Sequence, residues 1–349
     1  MVVVGTLVIS SKAELLAASR LPPAKGTPDP RSARVTTRAA TRRFPVRSVV
    51  TTITEARRLA ILFLLAVLGL MSATRLAQAQ DMEPRAYSAS PINTNFLLAT
   101  YAHTAGAASL DPSLPISNVR GVIDGALVGY DRTFDLFGNQ ASAAILIPAV
   151  KAHLRGDVFD ASREITRLGM GDMLMRVTEN LIGGPALTPA EFMQREPTTT
   201  AGVSLTAVAP TGDYNPQHLI NISSHRWSFK PEAGFSQPID NWFVDRSAGV
   251  WLRTDNSNFF GGKDRGQGAL WTTQAHAGYN FRPGLWLAAD VTHYFGGDTI
   301  LNGVSNQDFQ SVTRYGATLS VPIADGFQTK VAWASWLTAH NGGRFSTGF

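Results

Sequence analysis

The stretch WFVDRSAGVWLR, Trp242–Arg253, decides the fold. Trp242, Val244, Ala248, Val250 and Leu252 share one face, interrupted by Arg246, and Asp245, Ser247, Gly249 and Arg253 fall on the other. A period of two with unlike faces marks a β-strand. The pattern recurs downstream. Trp271, Thr273, Ala275, Ala277, Tyr279 and Phe281 oppose Thr272, Gln274, His276 and Asn280. Leu285, Leu287, Ala289, Val291 and Phe295 oppose Asp290, Thr292 and Tyr294. Tyr315, Ala317, Leu319, Val321 and Ile323 then oppose Arg314, Thr318 and Ser320, and Phe327, Val331, Trp333 and Leu337 oppose Gln328 and Lys330. Runs of ~10–15 residues are long for a soluble strand and suit a tilted membrane-spanning one.

Extending outward, the alternation predicts strands near 93–103, 120–134, 139–152, 170–182, 198–209, 226–237, 241–254, 268–282, 285–296, 310–323 and 326–338. Their linkers alternate between long (104–119, 153–169, 210–225, 255–267, 297–309) and tight (135–138, 238–240, 283–284, 324–325). Short turns at one end and long loops at the other are the layout of an outer-membrane barrel, whereas a soluble sandwich has no reason to sort its loops by side. The expected fold is therefore all-β, an antiparallel transmembrane β-barrel of about twelve strands. Eleven are clear, and a bacterial single-chain barrel closes with an even number. Residues 344–349 form only a short twelfth, below the ~9 residues a span needs.

Residues 183–197 break the loop rhythm. There Thr188, Pro189 and Glu191 fit an N-cap, N1 and N3, so a short periplasmic helix competes with an ordinary extended turn. All seven tryptophans lie after residue 226. Trp227, Trp242, Trp271 and Trp286 stand near strand starts and Tyr279, Phe281, Tyr294 and Phe295 near strand ends, the positions of two interfacial girdles.

The first 79 residues are of another kind. Arg57 and Arg58, the apolar run at 59–71 and Ala77-Gln78-Ala79 make a secretory signal peptide over 57–79, with cleavage before Gln80. The apolar run is too short for a spanning helix of ~20 residues. Residues 1–56 have no sustained apolar period and read as a disordered extension from a start codon set too early, an organellar transit peptide being the alternative. The barrel is then residues 80–349. Residues 1–79 hold 12 of the 31 Lys and Arg and 3 of the 26 Asp and Glu, leaving 19 basic and 23 acidic side chains, net −4. That balance removes the charge argument for a nucleic-acid partner. With no cysteine in the chain, disulfides and thiolate metal sites are excluded.

Enzyme motifs are thin. There is no His-Glu-x-x-His, no Gly-x-Ser-x-Gly and no phosphate-binding loop, and the seven histidines lack metal-ligand spacing. No catalytic residue, metal or cofactor is assigned. His276 and Ser320 are the pair a barrel-wall hydrolase would need. Asp255, Asn256 and Asn258 offer hard oxygens in a long loop that otherwise reads as solvated. The informative set is the polar face of the strands: Lys230, Glu232, Asp245, Arg253, His276, Asp290, Arg314 and Lys330. A lipid-facing charge costs ~2–4 kcal/mol at mid-bilayer, so these point into the lumen. They are either a charge-lined path for a small solute or salt bridges that fill a narrow barrel.

Six landmarks carry a family resemblance: Ser90-Pro91-Ile92-Asn93-Thr94-Asn95-Phe96; Gly171-Asp172-Met173; Gly184-Pro185-Ala186-Leu187-Thr188 with Glu191-Phe192; Pro210-Thr211-Gly212-Asp213-Tyr214; Arg226-Trp227 with Lys230-Pro231-Glu232; and Tyr294-Phe295-Gly296-Gly297. In this order they resemble the outer-membrane β-barrel family labelled "putative MetA-pathway of phenol degradation". The similarity covers nearly all of residues 90–345 and implies a transporter-like membrane barrel. Family members usually continue past a motif like Gly343-Arg344-Phe345 into one more strand ending in an aromatic residue, a pattern from which this chain departs.

Three function classes follow. The leading one is a non-enzymatic outer-membrane barrel that passes a small solute, aromatic compounds included. The others are a structural or surface-interaction barrel with a plugged lumen, and an outer-membrane hydrolase. The expected partners are outer-membrane lipid, the barrel-insertion machinery and the small-molecule solute.

Overall fold

The computed structural model describes the backbone of residues 5–10 and residues 83–107, 114–159 and 161–348. The signal peptide expected at 57–79 lies outside them. Within the extension expected to be disordered, β1 (Gly5–Ser10) is a paired strand, and the rest of 1–56 is also outside the described residues.

The barrel wall is laid down in chain order. It starts with β2 (Asn95–Ala107), β3 (Ile116–Leu136), β4 (Asn139–Val158), β5 (Ala161–Met170) and β6 (Met173–Ile182). It continues through β7 (Thr200–Ala209), β8 (Ser228–Ile239) and β9 (Trp242–Arg253). Two short strands, β10 (Asn256–Phe259) and β11 (Lys263–Gln267), precede β12 (Leu270–Arg282) and β13 (Leu285–Gly296). Two more, β14 (Thr299–Leu301) and β15 (Val304–Ser305), precede β16 (Gln310–Ala324), β17 (Phe327–His340) and β18 (Arg344–Gly348). Every pairing is antiparallel, and β5 and β6 share one position beside β4, so the ring closes with twelve strand positions.

Closure is reached in two pieces. β18 bridges β2 and β17 at the long-loop end, and β1 bridges the same two strands at the tight-turn end. On β17, Gly348 pairs with Trp333 and Gly5 with Val331, so the register runs from one piece to the other across Ala332. The short twelfth strand expected from the sequence is thus prolonged by a second segment.

The faces alternate as the polarity predicts. Along β12, Leu270, Thr272, Gln274, His276 and Gly278 are buried, and Trp271, Thr273, Ala275 and Ala277 are exposed to the lipid side. The outer surface carries Leu97, Val128, Ile145, Val177, Leu205 and Leu319. Aromatic pairs stand at both ends of the β8–β13 part of the wall: Trp227 on Phe229 and Trp271 on Phe295 at the long-loop end, Trp242 on Tyr279 at the other. Two residues expected in the girdles are inside instead. Trp286 is buried edge-on against Phe243, and Tyr294 is buried with Trp251 and Leu270, because both share the parity of Asp290.

The largest difference from the sequence reading is at 153–169. It is no loop: β4 continues to Val158, turns at Phe159 with φ 48°, and returns as β5. Its alternation is masked by Arg155, Arg163 and Arg167, which mimic a solvated segment. Between β5 and β6 the wall strand takes a bulge. Ala149 pairs with Met170 and Leu146 with Leu174, which leaves one residue more on the β5–β6 side. Pro148 has no N–H to offer there, and its carbonyl accepts from Gly171 N at 2.8 Å. The bulge shifts the phase, so Arg167 above and Arg176 below both face inward. It also explains two family landmarks. Asp172 accepts from Gly212 N, the Ser223 hydroxyl and both the N and hydroxyl of Ser224, clamping the loop after β7. Gly212 must lack a side chain, since a Cβ there would lie 2.6 Å from the Gly171 carbonyl carbon.

Two of the long loops, 255–267 and 297–309, pair with each other as the small sheet β10-β11-β14-β15. Residues 183–197 contain the short helix rather than the ordinary extended turn that competed with it: α1 (Pro189–Phe192), with Thr188 and Glu191 forming a reciprocal capping box. Glu191 is held below the usual carboxylate range by its hydrogen bonds from the Thr188 side chain and backbone.

Candidate functional site

Before the first wall strand, residues 83–94 enter the barrel. Thr94 and Asn93 are fixed at the tight-turn end. Asn93 N donates to Thr133 O and Thr94 N to Thr133 Oγ1, while Thr133 Oγ1 donates to Pro91 O. Ile92 N donates to Leu187 O, so the α1 segment ties down the same point. Deeper in, Ser88 meets Ser236, and Thr200 Oγ1 donates to Tyr87 O at 2.6 Å.

Tyr87 is the centre of the latch. Its ring is buried against β8, where Gly234 makes room: a Cβ at Gly234 would sit 2.4 Å from the Tyr87 ring. Its hydroxyl contacts Ser204 Oγ and donates to Glu232 Oε1, each at 3.0 Å. Burial and then the Glu232 charge push the phenol well above its ordinary value, so it remains a donor. Glu232 gathers three further groups: Lys230 Nζ at 2.6 Å, Arg176 at 3.3 Å and Gln274 Nε2 at 3.3 Å. Arg176 turns its other arm to Glu83 at 2.7 Å. Glu83 is exposed to the lumen; desolvation by the surrounding barrel opposes its ionisation, but Arg176, Lys330 and Lys230 outweigh it and hold that carboxyl below its usual range.

A second latch lies on the neighbouring strands β9 and β12. Arg85 donates its backbone N–H to Asp245 Oδ2 at 2.7 Å and its guanidinium to Asn280 Oδ1 at 2.8 Å. The same guanidinium lies 4.3 Å over the Phe243 ring and 5.5 Å from that of Trp286. One pocket beside the latches, bordered by Glu83, Tyr87, Glu232, Asp245 and His276, is about 20 Å³. That admits a single water and no organic solute.

The eight residues singled out from the sequence all occupy lumen-side positions. Lys230, Glu232, Asp245, His276, Asp290 and Arg314 are buried, and Arg253 and Lys330 are half-buried. They form separate groups. Lys230, Glu232 and Asp245 hold the N-terminal segment. His276 Nδ1 lies 2.7 Å from Asp290 Oδ1, and Thr318 donates to the other Asp290 oxygen at 2.7 Å. Lys230 and Arg253 stack near Trp251 and Lys330 near Trp286. His276 is not brought to Ser320, whose hydroxyl donates to Gly284 O near the turn. Asn256 is engaged by the loops, donating to Tyr214 OH and Ser224 O and accepting from Asn258 N. Among the described residues, no group of three or more His, Asp or Glu is placed to hold a metal.

Sequence reasoning missed Glu83, Arg85, Tyr87 and Arg176. Arg176 was legible: it is the one basic residue in the otherwise mostly apolar MLMRVTENLI. The other three precede the strands, where no period shows which wall they will meet.

No curated protein matches the chain. Among solved structures, the COG4313 outer membrane channel from Pseudomonas putida F1 superposes with a TM-score of 0.64 at 20% identity, covering 77% of this chain and 97% of that one. The likeness shows a shared fold. The sequence profile of the family described as "Putative MetA-pathway of phenol degradation" matches residues 118–348. That span is well over half of the chain, and the protein therefore belongs to this family.

Proposed function

We propose that the protein is an outer-membrane channel for the passive passage of a small solute, aromatic compounds included, and that residues 83–94 gate it. Export by the signal peptide cleaved before Gln80, delivery by the barrel-insertion machinery and a surround of outer-membrane lipid complete this reading. The observation that carries it is the nature of the obstruction. Residues 83–94 cross the lumen, held through hydrogen bonds and an ion pair to Glu232, Asp245 and Arg176, contacts that water can replace. The outer membrane channel that shares the fold supports it. With the segment withdrawn, Lys230, Glu232, Asp245, Arg253, His276, Asp290, Arg314 and Lys330 line the path, and rings of charge of both signs select the solute.

Single-channel recording in planar bilayers tests this. A variant lacking residues 80–90 is expected to conduct several-fold more than the parent, and Lys230→Ala with Arg314→Ala to shift its ion selectivity. The tight 20 Å³ gap favours a second reading, a structural or surface-interaction barrel whose plug never leaves. Absence of conductance from both parent and deletion variant would establish that one.

A further inference from the structure

Above the bulge at Gly171, β3, β4 and β5 form a three-stranded extension at the long-loop end, where β5 pairs with β4 alone. On its lumen-side face Leu154 stands opposite Ile165, Gly156 opposite Arg163 and Ala152 opposite Arg167. The loop residues 217–220 and Phe260 form the facing wall. Between the walls lies a cavity of about 310 Å³, within the size range of small-molecule sites.

Its chemistry is one-sided. Ile116, Val158, Ile165, Leu219 and Phe260 make apolar walls, arginines border it, and among the described residues no carboxylate lines it. Arg155 shares the exposed outer face of Lys151 and His153, which leaves Arg163 and Arg167 as the cations of the inner face. They flank Ile165, two residues to either side on one strand face. Arg167 is steadied by its Nε–H, which reaches Ile220 O at 3.4 Å. A guanidinium keeps its charge at any physiological pH and matches a carboxylate with parallel N–H donors. An apolar body alone would not account for two cations, and a bare inorganic anion would leave the apolar walls unused.

We propose that this cavity is a binding site for amphiphilic carboxylates, with the hydrocarbon or aromatic body against Ile165, Leu219 and Phe260 and the carboxylate on Arg163 and Arg167. The site stands at the outer mouth, above the latched lumen, and concentrates such a compound there. In that role it rests on the reading of the barrel as a solute channel.

The test uses the barrel in lipid nanodiscs, titrated calorimetrically with octanoate and with neutral octanol, empty discs serving as the blank. Octanoate is expected to bind at one site at least about tenfold more tightly than octanol, the difference one charge-assisted hydrogen bond makes. Arg163→Gln with Arg167→Gln should abolish that preference, and Leu219→Trp, which keeps both arginines and fills the cavity, should abolish octanoate binding. Arg120→Gln, on the exposed outer face, should change nothing. Retention of the folded barrel is checked by its heat-modifiable electrophoretic mobility. Equal binding of octanoate and octanol, or unchanged octanoate binding in the double variant, would overturn the proposal. Octanoate bound at these arginines by a barrel that never conducts would leave the site standing and remove the channel reading instead.

Discussion

Tyr87 and Glu232, 145 positions apart in the chain, are joined inside the barrel by a 3.0 Å hydrogen bond from the phenol to Oε1. Glu232 holds Lys230 and Arg176 as well, so one carboxylate binds both the wall and the segment that crosses the lumen. Changing Glu232→Gln strips the charge that balances two cations and weakens the Tyr87 contact. Conductance is expected to rise several-fold, with Tyr87→Phe giving a smaller rise, measured by single-channel recording.

Acid should open the same latch. The Glu83 carboxyl is held below its ordinary value of 4.5 by Arg176, Lys330 and Lys230. A group whose value is lowered on folding contributes stability above its unfolded value and loses it as pH falls through the folded one. Conductance is therefore expected to be flat from pH 7 down to the ordinary glutamate value and to rise below it. A Glu83→Gln barrel should lack the part of the acid response that this carboxyl carries.

Gly234 offers a test that leaves every charge in place. A Cβ there meets the Tyr87 ring at 2.4 Å, nearer than real contacts allow. Gly234→Val is expected to expel Tyr87 and to raise conductance toward that of the deletion variant, with the barrel still resistant to unfolding in detergent.

Leu205 is half-exposed on the outer face of β7, between the buried Ser204 and Thr206. Leu205→Arg places a charge in lipid and should destabilise the barrel by ~2–4 kcal/mol in denaturant titrations from liposomes.

The seam between β17 and β2 gives the last prediction. Gly5–Ser10 pairs with Phe327–Val331 on one side and Phe96–Thr100 on the other, and the proposed cleavage before Gln80 would detach it. The intact mass of the protein from outer membranes is expected to be that of residues 80–349. Refolded 80–349 should unfold at a lower temperature than the refolded full chain, because backbone groups of two strands lose partners in the bilayer.

The barrel was legible because its physics is local. Alternation along residues 242–253 and 271–281 fixes which side chains meet lipid, and no distant contact can reverse a two-residue period. The hairpin through Arg155, Arg163 and Arg167 escaped this reading, since beyond the bilayer an outward charge costs nothing and the polarity contrast fades. The girdle assignments of Trp286 and Tyr294 failed for a related reason. An aromatic ring suits either face, and only its parity with Asp290 places it.

By itself the sequence determined the strand period, the sorting of loops to two sides and the inward direction of Lys230, Glu232, Asp245, His276, Asp290 and Arg314, because burying a charge in lipid costs more than any packing regains. Tertiary structure alone decided what those charges meet. Glu83, Arg85 and Tyr87 precede the first strand and have no period to constrain them. Their partners on β6, β8, β9 and β12 come together only when the sheet curls into a ring. The Pro148–Gly171 bulge likewise brings Arg167 and Arg176 to one side by shifting register, an effect of pairing between strands that no single strand's pattern contains.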